Sequence, residues 1–178
     1  MDCEKHMSRY RRTFFPGGCY FFTLVTYHRL PWFSHAKNIE RLRQGFRRTQ
    51  SKHPFEIDAI VVLPDHLHMV MQLPVNEYDF SLRIRLIKHY VSTGIDTSTN
   101  HKQEKKVWQK RYWEHLIRGQ EDWRRHVDYI HYNPVKHRYV NNPAEWPYSS
   151  FQRALNRGWY EPDWGNAVPP GIKNLELE

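Results

Sequence analysis

Phe55-Glu56-Ile57-Asp58-Ala59-Ile60-Val61-Val62-Leu63-Pro64-Asp65-His66-Leu67-His68-Met69-Val70-Met71-Gln72-Leu73 is two apolar, strand-like runs broken once, at Pro64-Asp65. Pro sets φ for a turn and Asp can hydrogen-bond the backbone beyond it, so the spacing predicts strands over 55–63 and 66–73 paired as an antiparallel hairpin. Along the second strand the side chains alternate faces, which puts His66 and His68 on one side and Leu67, Met69 and Met71 on the other. Two imidazoles one residue apart on one face suit a shared metal ion, because neutral histidine is the commonest metal-ligating side chain. The same pattern also fits two polar residues on the wet face of a half-buried strand. Other residues have to converge on it before it means chemistry.

Outward from the hairpin, Gly17-Gly18 marks a turn, and Cys19 to Tyr27 is dense in aromatic and β-branched residues, which predicts a first strand. From Ser34, the expected cap, to Lys52, the recurrence of Ile39, Leu42 and Phe46 predicts an amphipathic helix. A second helix is expected over Phe80 to Val91, with Arg83, Arg85 and Lys88 as a basic face. The polar stretch Ser92 to Lys106 has no apolar period and reads as a mobile loop. Val107 to His115 opens an aromatic, strand-like segment, and a third helix runs from Gln120 to Asn133, ended by Pro134. The order β-α-β-β-α-β-α implies an α+β fold, a ferredoxin-like split β-α-β sandwich whose antiparallel sheet has helices on one face and the other free. Residues 1–134 form the expected domain. Residues 135–178, rich in proline and aromatics, form a C-terminal extension packed on it.

The chain has 178 residues, enough for one domain with a substantial core. With 39% hydrophobic and 15% aromatic residues it is too rich in core formers to be disordered, despite a mean hydropathy of −0.84. Lys and Arg number 27 against 19 Asp and Glu, a formal charge of +8 that favours polyanions, nucleic acid ahead of an anionic membrane. Cys3 and Cys19 match neither a disulfide framework nor a cysteine-rich zinc site. No apolar run is long enough for a signal peptide or a membrane span, so a cytoplasmic protein is expected.

On a helical wheel, Trp123, Val127 and Ile130 form the apolar stripe of the third helix. Tyr129 and Asn133 fall together at the edge of that stripe, beside Asp122 and His126, whereas Tyr132 points nearly opposite. If that helix edge meets the histidine face of the sheet, His66, His68 and the Asn133 side-chain oxygen supply N and O ligands to a divalent ion. Such a mixture suits Mg²⁺ or Mn²⁺ at a phosphate, and the imidazoles also admit Zn²⁺. Tyr129 is then placed to attack phosphorus, provided its phenol, with an ordinary pKa of about 10, is helped to lose its proton. A covalent phosphotyrosine would keep the energy of the cleaved bond, so rejoining would need no ATP.

Three ordered motifs now stand together: Pro64-Asp65-His66-Leu67-His68; Trp108-Gln109-Lys110-Arg111-Tyr112-Trp113-Glu114-His115; and His126-Val127-Asp128-Tyr129-Ile130-His131-Tyr132-Asn133-Pro134-Val135-Lys136-His137. They resemble the REP-associated tyrosine transposases, bacterial relatives of insertion-sequence transposases in the HUH single-tyrosine superfamily. The resemblance extends from Tyr10-Arg11-Arg12 and Gly17-Gly18 to about Phe151. It implies that His66 and His68 are metal histidines, Tyr129 the nucleophile and Asn133 the third-ligand position. It implies a substrate of single-stranded DNA hairpins, the repetitive extragenic palindromes, cut and rejoined near a tetranucleotide at the foot of the stem. Arg11 and Arg12 are the expected DNA contacts there, joined by Lys110 and Arg111, while Glu114 and His115 are candidates for orienting a ligand or moving a proton. Trp108, Tyr112 and Trp113 are candidates for base stacking or for the core; if the segment is a strand, Trp108 and Trp113 face opposite sides of it. Two departures stand out: Arg138 occupies a position where the family often has Gly, and the Ser92 to Lys106 loop is long. The rivals are a replication initiator or relaxase-like nickase, a noncatalytic domesticated DNA- or RNA-hairpin-binding protein, and a zinc hydrolase using the histidines alone. A monomer is expected over a dimer.

Overall fold

The computed structural model describes residues 14–99 and 105–172. Four strands, β1 (Cys19–Val25), β2 (Glu56–Val62), β3 (His66–Gln72) and β4 (Trp113–Leu116), alternate with three main helices: α1 (Ala36–Lys52), α2 (Phe80–Thr93) and α3 (Gln120–Lys136). The sheet order is β2-β3-β1-β4, antiparallel throughout. The hairpin and the α+β class expected from the sequence are therefore present. Arg11 and Arg12 lie outside the described residues.

The pleat divides the core in two. Tyr20, Phe22 and Leu24 of β1 and Leu67, Met69 and Met71 of β3 face α1 and α2, where Ile39, Leu42, Ile84, Ile87 and Val91 meet them. Each such side chain, fully buried, contributes about 1.5–3 kcal/mol of transfer free energy. Phe21, Ala59, Val61 and Val70 face the other way, onto Val127, Tyr129 and Ile130 of α3. The expectation of a free second face is corrected here: alternation makes Phe21 and Val70 as apolar as their neighbours, and α3 covers them. That places α3 on the same side as His66 and His68.

Several boundaries also differ from expectation. The N-cap of α1 is His35 rather than Ser34, and it makes no side-chain capping bond. Arg83 does not join a basic outer face: it is buried, donating to the Pro54 and Asp79 carbonyls. Of the stretch expected to be a mobile loop, 100–104 lie outside the described residues, Ile95 is buried in the core, and Thr99 bridges to Lys105. Trp108 is in the core and Trp113 is exposed on the α3 side, the split that their odd spacing predicts.

Pro134 does not stop α3. The helix runs on to Lys136, because a proline near the C-terminus forfeits only one intrahelical bond. It ends in a Schellman motif, with Tyr139 N–H donating to the Pro134 carbonyl at 3.0 Å and Arg138 N–H to that of Val135 at 2.9 Å. Arg138 closes the motif with a φ of 59°, a left-handed conformation that costs a non-glycine residue about 1 kcal/mol. Arg138→Gly is accordingly expected to stabilise the fold by about 1 kcal/mol, read as a higher midpoint in chemical denaturation.

Residues 143–172 wrap the α3 side. Tyr148 and Ser150 pair with the outer edge of β2, the Val62 amide donating to the Tyr148 carbonyl and the Ser150 amide to that of Ile60. An otherwise open sheet edge is thus closed. Tyr132, expected on the side of the helix opposite the core, is buried all the same, its ring packed against Trp164. A buried chain of polar groups ties this segment to α3: Tyr160 Oη donates to Asp128 at 2.6 Å, His131 Nδ1 lies 3.1 Å from Tyr160 Oη, and His131 Nε2 lies 2.9 Å from Ser150 Oγ. Burial pulls the His131 pKa from 6.5 down to about 3. The unfolded chain therefore binds a proton at His131 that the native state refuses, and the stability present above pH 6.5 drains as pH falls toward about 3. His131→Asn is expected to flatten the fall in unfolding free energy over that interval, measured by urea titrations at successive pH values.

Candidate active site

On β3, the His66 and His68 rings project from the α3 side with centroids 4.9 Å apart, and both residues are buried. Each is held through Nδ1. His66 Nδ1 donates to Asp65 Oδ1 at 2.6 Å, and His68 Nδ1 lies 2.9 Å from Thr23 Oγ1, its antiparallel partner on β1. Asp65 also accepts from Arg29 at 3.0 Å. Burial alone would raise the Asp65 pKa, but the bonds from His66 and Arg29 outweigh it and hold the carboxyl at about 2. Fixing Nδ1 in this way leaves Nε2 as the ligating nitrogen, the arrangement metal-binding histidines use. His66 Nε2 is buried with no hydrogen-bond partner among the described residues, a cost that a bound cation would remove.

Opposite stands one row of α3. Tyr129 is 1% exposed and its ring lies 5.3 Å from that of His68; four residues on, Asn133 is fully buried; four further, the His137 ring lies 5.2 Å from that of His66. Asn133 is thus bracketed on the helix between the two residues that touch the two histidines, and it accepts the His137 amide at its own carbonyl. Tyr129 Oη accepts from Lys136 Nζ at 2.9 Å. His66, His68 and Tyr129 therefore meet between sheet and helix, with Asn133 buried one turn beyond Tyr129 on the same helix row. Two residues not singled out from the sequence join them, Lys136 and His137. Both lie on the Tyr129 face at i+7 and i+8, a signal hidden by the expectation that the helix ends at Pro134.

Glu114 and His115 do not join this group. Glu114 pairs with Phe22 and so points to the α1–α2 side of the sheet, the opposite face. His115 is on the α3 side but bonds Asp122 at 2.8 Å and stacks on His126 at 4.7 Å. Phe21 separates it from the site, its ring 5.5 Å from His68 and 4.9 Å from His126. Lys110 and Arg111 are exposed just before β4, and Trp113 stands beside them, 41% exposed and stacked on His115. Cys19 carries a neutral thiol, its pKa pushed by burial to about 12. No helix among the described residues is long and apolar enough to cross a membrane.

Comparison with known proteins adds four findings. The family described as "Transposase IS200 like" matches residues 17–133. The REP-associated tyrosine transposase of Escherichia coli K12 is 41% identical over 162 residues, covering 91% of this chain and 93% of its own length. A Haemophilus influenzae protein provisionally given the same name is 42% identical over 174 residues, covering 94% and 98%. Among solved structures, a REP-associated tyrosine transposase bound to a REP hairpin superposes with a TM-score of 0.79 at 38% identity, over 96% of this chain and 99% of that one.

Proposed function

The chain belongs to the IS200-like transposase family, and within it to the REP-associated tyrosine transposases; on that premise we propose that it cuts and rejoins single-stranded DNA at REP-type hairpins through a 5′-phosphotyrosine on Tyr129. The observation that carries this is the packing of the buried Tyr129 ring on His68 with its oxygen held by Lys136. In the cutting step Tyr129 Oη bonds to phosphorus and the bond from phosphorus to the 3′ oxygen breaks. The phenol proton ends on the released 3′ hydroxyl. In rejoining, a 3′ hydroxyl attacks the phosphotyrosine and Tyr129 is regenerated, so the phosphodiester energy is conserved. An ammonium donating to the phenol oxygen stabilises negative charge developing there, which gives Lys136 a direct part in both steps.

The residues present fit a divalent cation. His66 and His68, oriented by Asp65 and Thr23, and the Asn133 side-chain oxygen would hold Mg²⁺ or Mn²⁺, which when bound supplies Lewis-acid polarisation of the scissile phosphate. Lys110 and Arg111, exposed before β4, would meet the phosphate backbone, and exposed Trp113 offers a ring on which an unpaired base can stack. The closure of the β2 edge by residues 148–150 supports a monomer as the working species.

The test is a labelled single-stranded REP hairpin incubated with the protein and Mg²⁺ or Mn²⁺, then run on a denaturing gel. A protein–DNA adduct that survives denaturation is expected, with a shorter free strand. A mobility shift on a native gel without adduct or cleavage would make the protein a hairpin-binding module instead.

A further inference from the structure

Across Phe21 from the candidate active site, His115 of β4 and Asp122 and His126 of α3 present one ligand atom each, all within 4.8 Å of one another. We propose that these three residues form a second metal site, selective for Zn²⁺ or a similar transition ion, which clips the edge strand β4 to the first turns of the helix that carries Tyr129. The donor set is two imidazoles and a carboxylate, with Asp122 and His126 at i,i+4 on one helix face and His115 reaching in from the strand. Two imidazoles with one carboxylate are a donor set zinc commonly takes.

Two further observations point the same way. His126 is 3% exposed and its Nε2 is buried with no hydrogen-bond partner among the described residues. Asp122 is already positioned: one oxygen accepts from the Arg118 amide and from His115, each at 2.8 Å, and the other lies 3.1 Å from His126 Nδ1. The site shares no ligand with His66, His68 or Asn133 and stands whether or not Tyr129 is the nucleophile.

The test uses the full chain carrying His66→Ala and His68→Ala, which removes the other candidate ligands. Equilibrium dialysis against Zn²⁺ followed by metal analysis is expected to find one ion per chain, and none once His115→Ala is added. In the chain that keeps His66 and His68, His115→Ala should lower the bound count by one. His115 is about one-third exposed, so its truncation is compatible with the fold, which circular dichroism checks. A second variant guards against misfolding: His115→Cys loaded with Co²⁺ should gain thiolate-to-cobalt charge-transfer absorption that its parent lacks. An ion count unmoved by His115→Ala, no ion in the double variant, or a His115→Cys protein without the new absorption would overturn the site and leave the trio as a hydrogen-bonded brace alone.

Discussion

Tyr129→Phe is expected to eliminate the covalent DNA adduct and to lower hairpin cleavage by on the order of 10⁴-fold or more, the scale on which removal of a covalent nucleophile acts. The loss is chemical rather than structural. The substitution deletes a single oxygen that accepts from the Lys136 ammonium, a bond worth on the order of 1 kcal/mol net in stability, and it leaves the ring packed on His68 and Phe21. Thermal melting of the variant should therefore stay close to that of the parent while cleavage disappears. Hairpin affinity, read by a native gel, should also persist. Cleavage by the Phe variant at the parental rate would show that another group attacks phosphorus.

His66→Ala is expected to remove cleavage while changing hairpin affinity by only a few-fold. The imidazole is 1% exposed and supplies a candidate metal nitrogen, whereas the proposed DNA affinity would be spread over many cations, with exposed Lys110 and Arg111 as candidates. The carboxylate behind it gives a graded control. Asp65→Asn keeps the shape but loses the charge that orients the His66 ring, and a loss of about 10–100-fold in activity or metal affinity is the expected scale for such a supporting group. Measured cleavage rates should thus order as parent, then Asp65→Asn, then His66→Ala. Equal rates for all three would separate the histidines from the chemistry.

Much of this arrangement is legible in the sequence because it depends on short-range rules. Pro64-Asp65 with apolar runs on either side specifies the hairpin, and the two-residue pleat then places His66 and His68 on one face without any tertiary information. The wheel likewise groups Tyr129 with Asn133, both buried, but Tyr132, which it turns away from the core, is buried too, against Trp164. What escaped depends on tertiary context or on energies too small to override it. Pro134 costs the helix one bond, and the packing of Tyr129, Asn133 and His137 against β3 carries α3 through it, which brings Lys136 and His137 to the site. The free face expected for the sheet ignored that Phe21 and Val70 also need cover. Glu114 and His115 are adjacent in sequence, but the pleat sends them to opposite faces, as their register with Phe22 and Phe21 makes plain. Arg83 looks like any other basic residue of α2 until the Pro54 carbonyl turns up beside it.

The covalent adduct itself carries the most direct evidence. Digesting the DNA-linked protein with trypsin and nuclease, then sequencing the modified peptide by tandem mass spectrometry, locates the phosphate. The expected product bears it on Tyr129, within the peptide that also contains Tyr132. A phosphate on Tyr132, whose ring faces Trp164 and not the histidines, or on any residue outside α3, would contradict the assignment of Tyr129 as the attacking group.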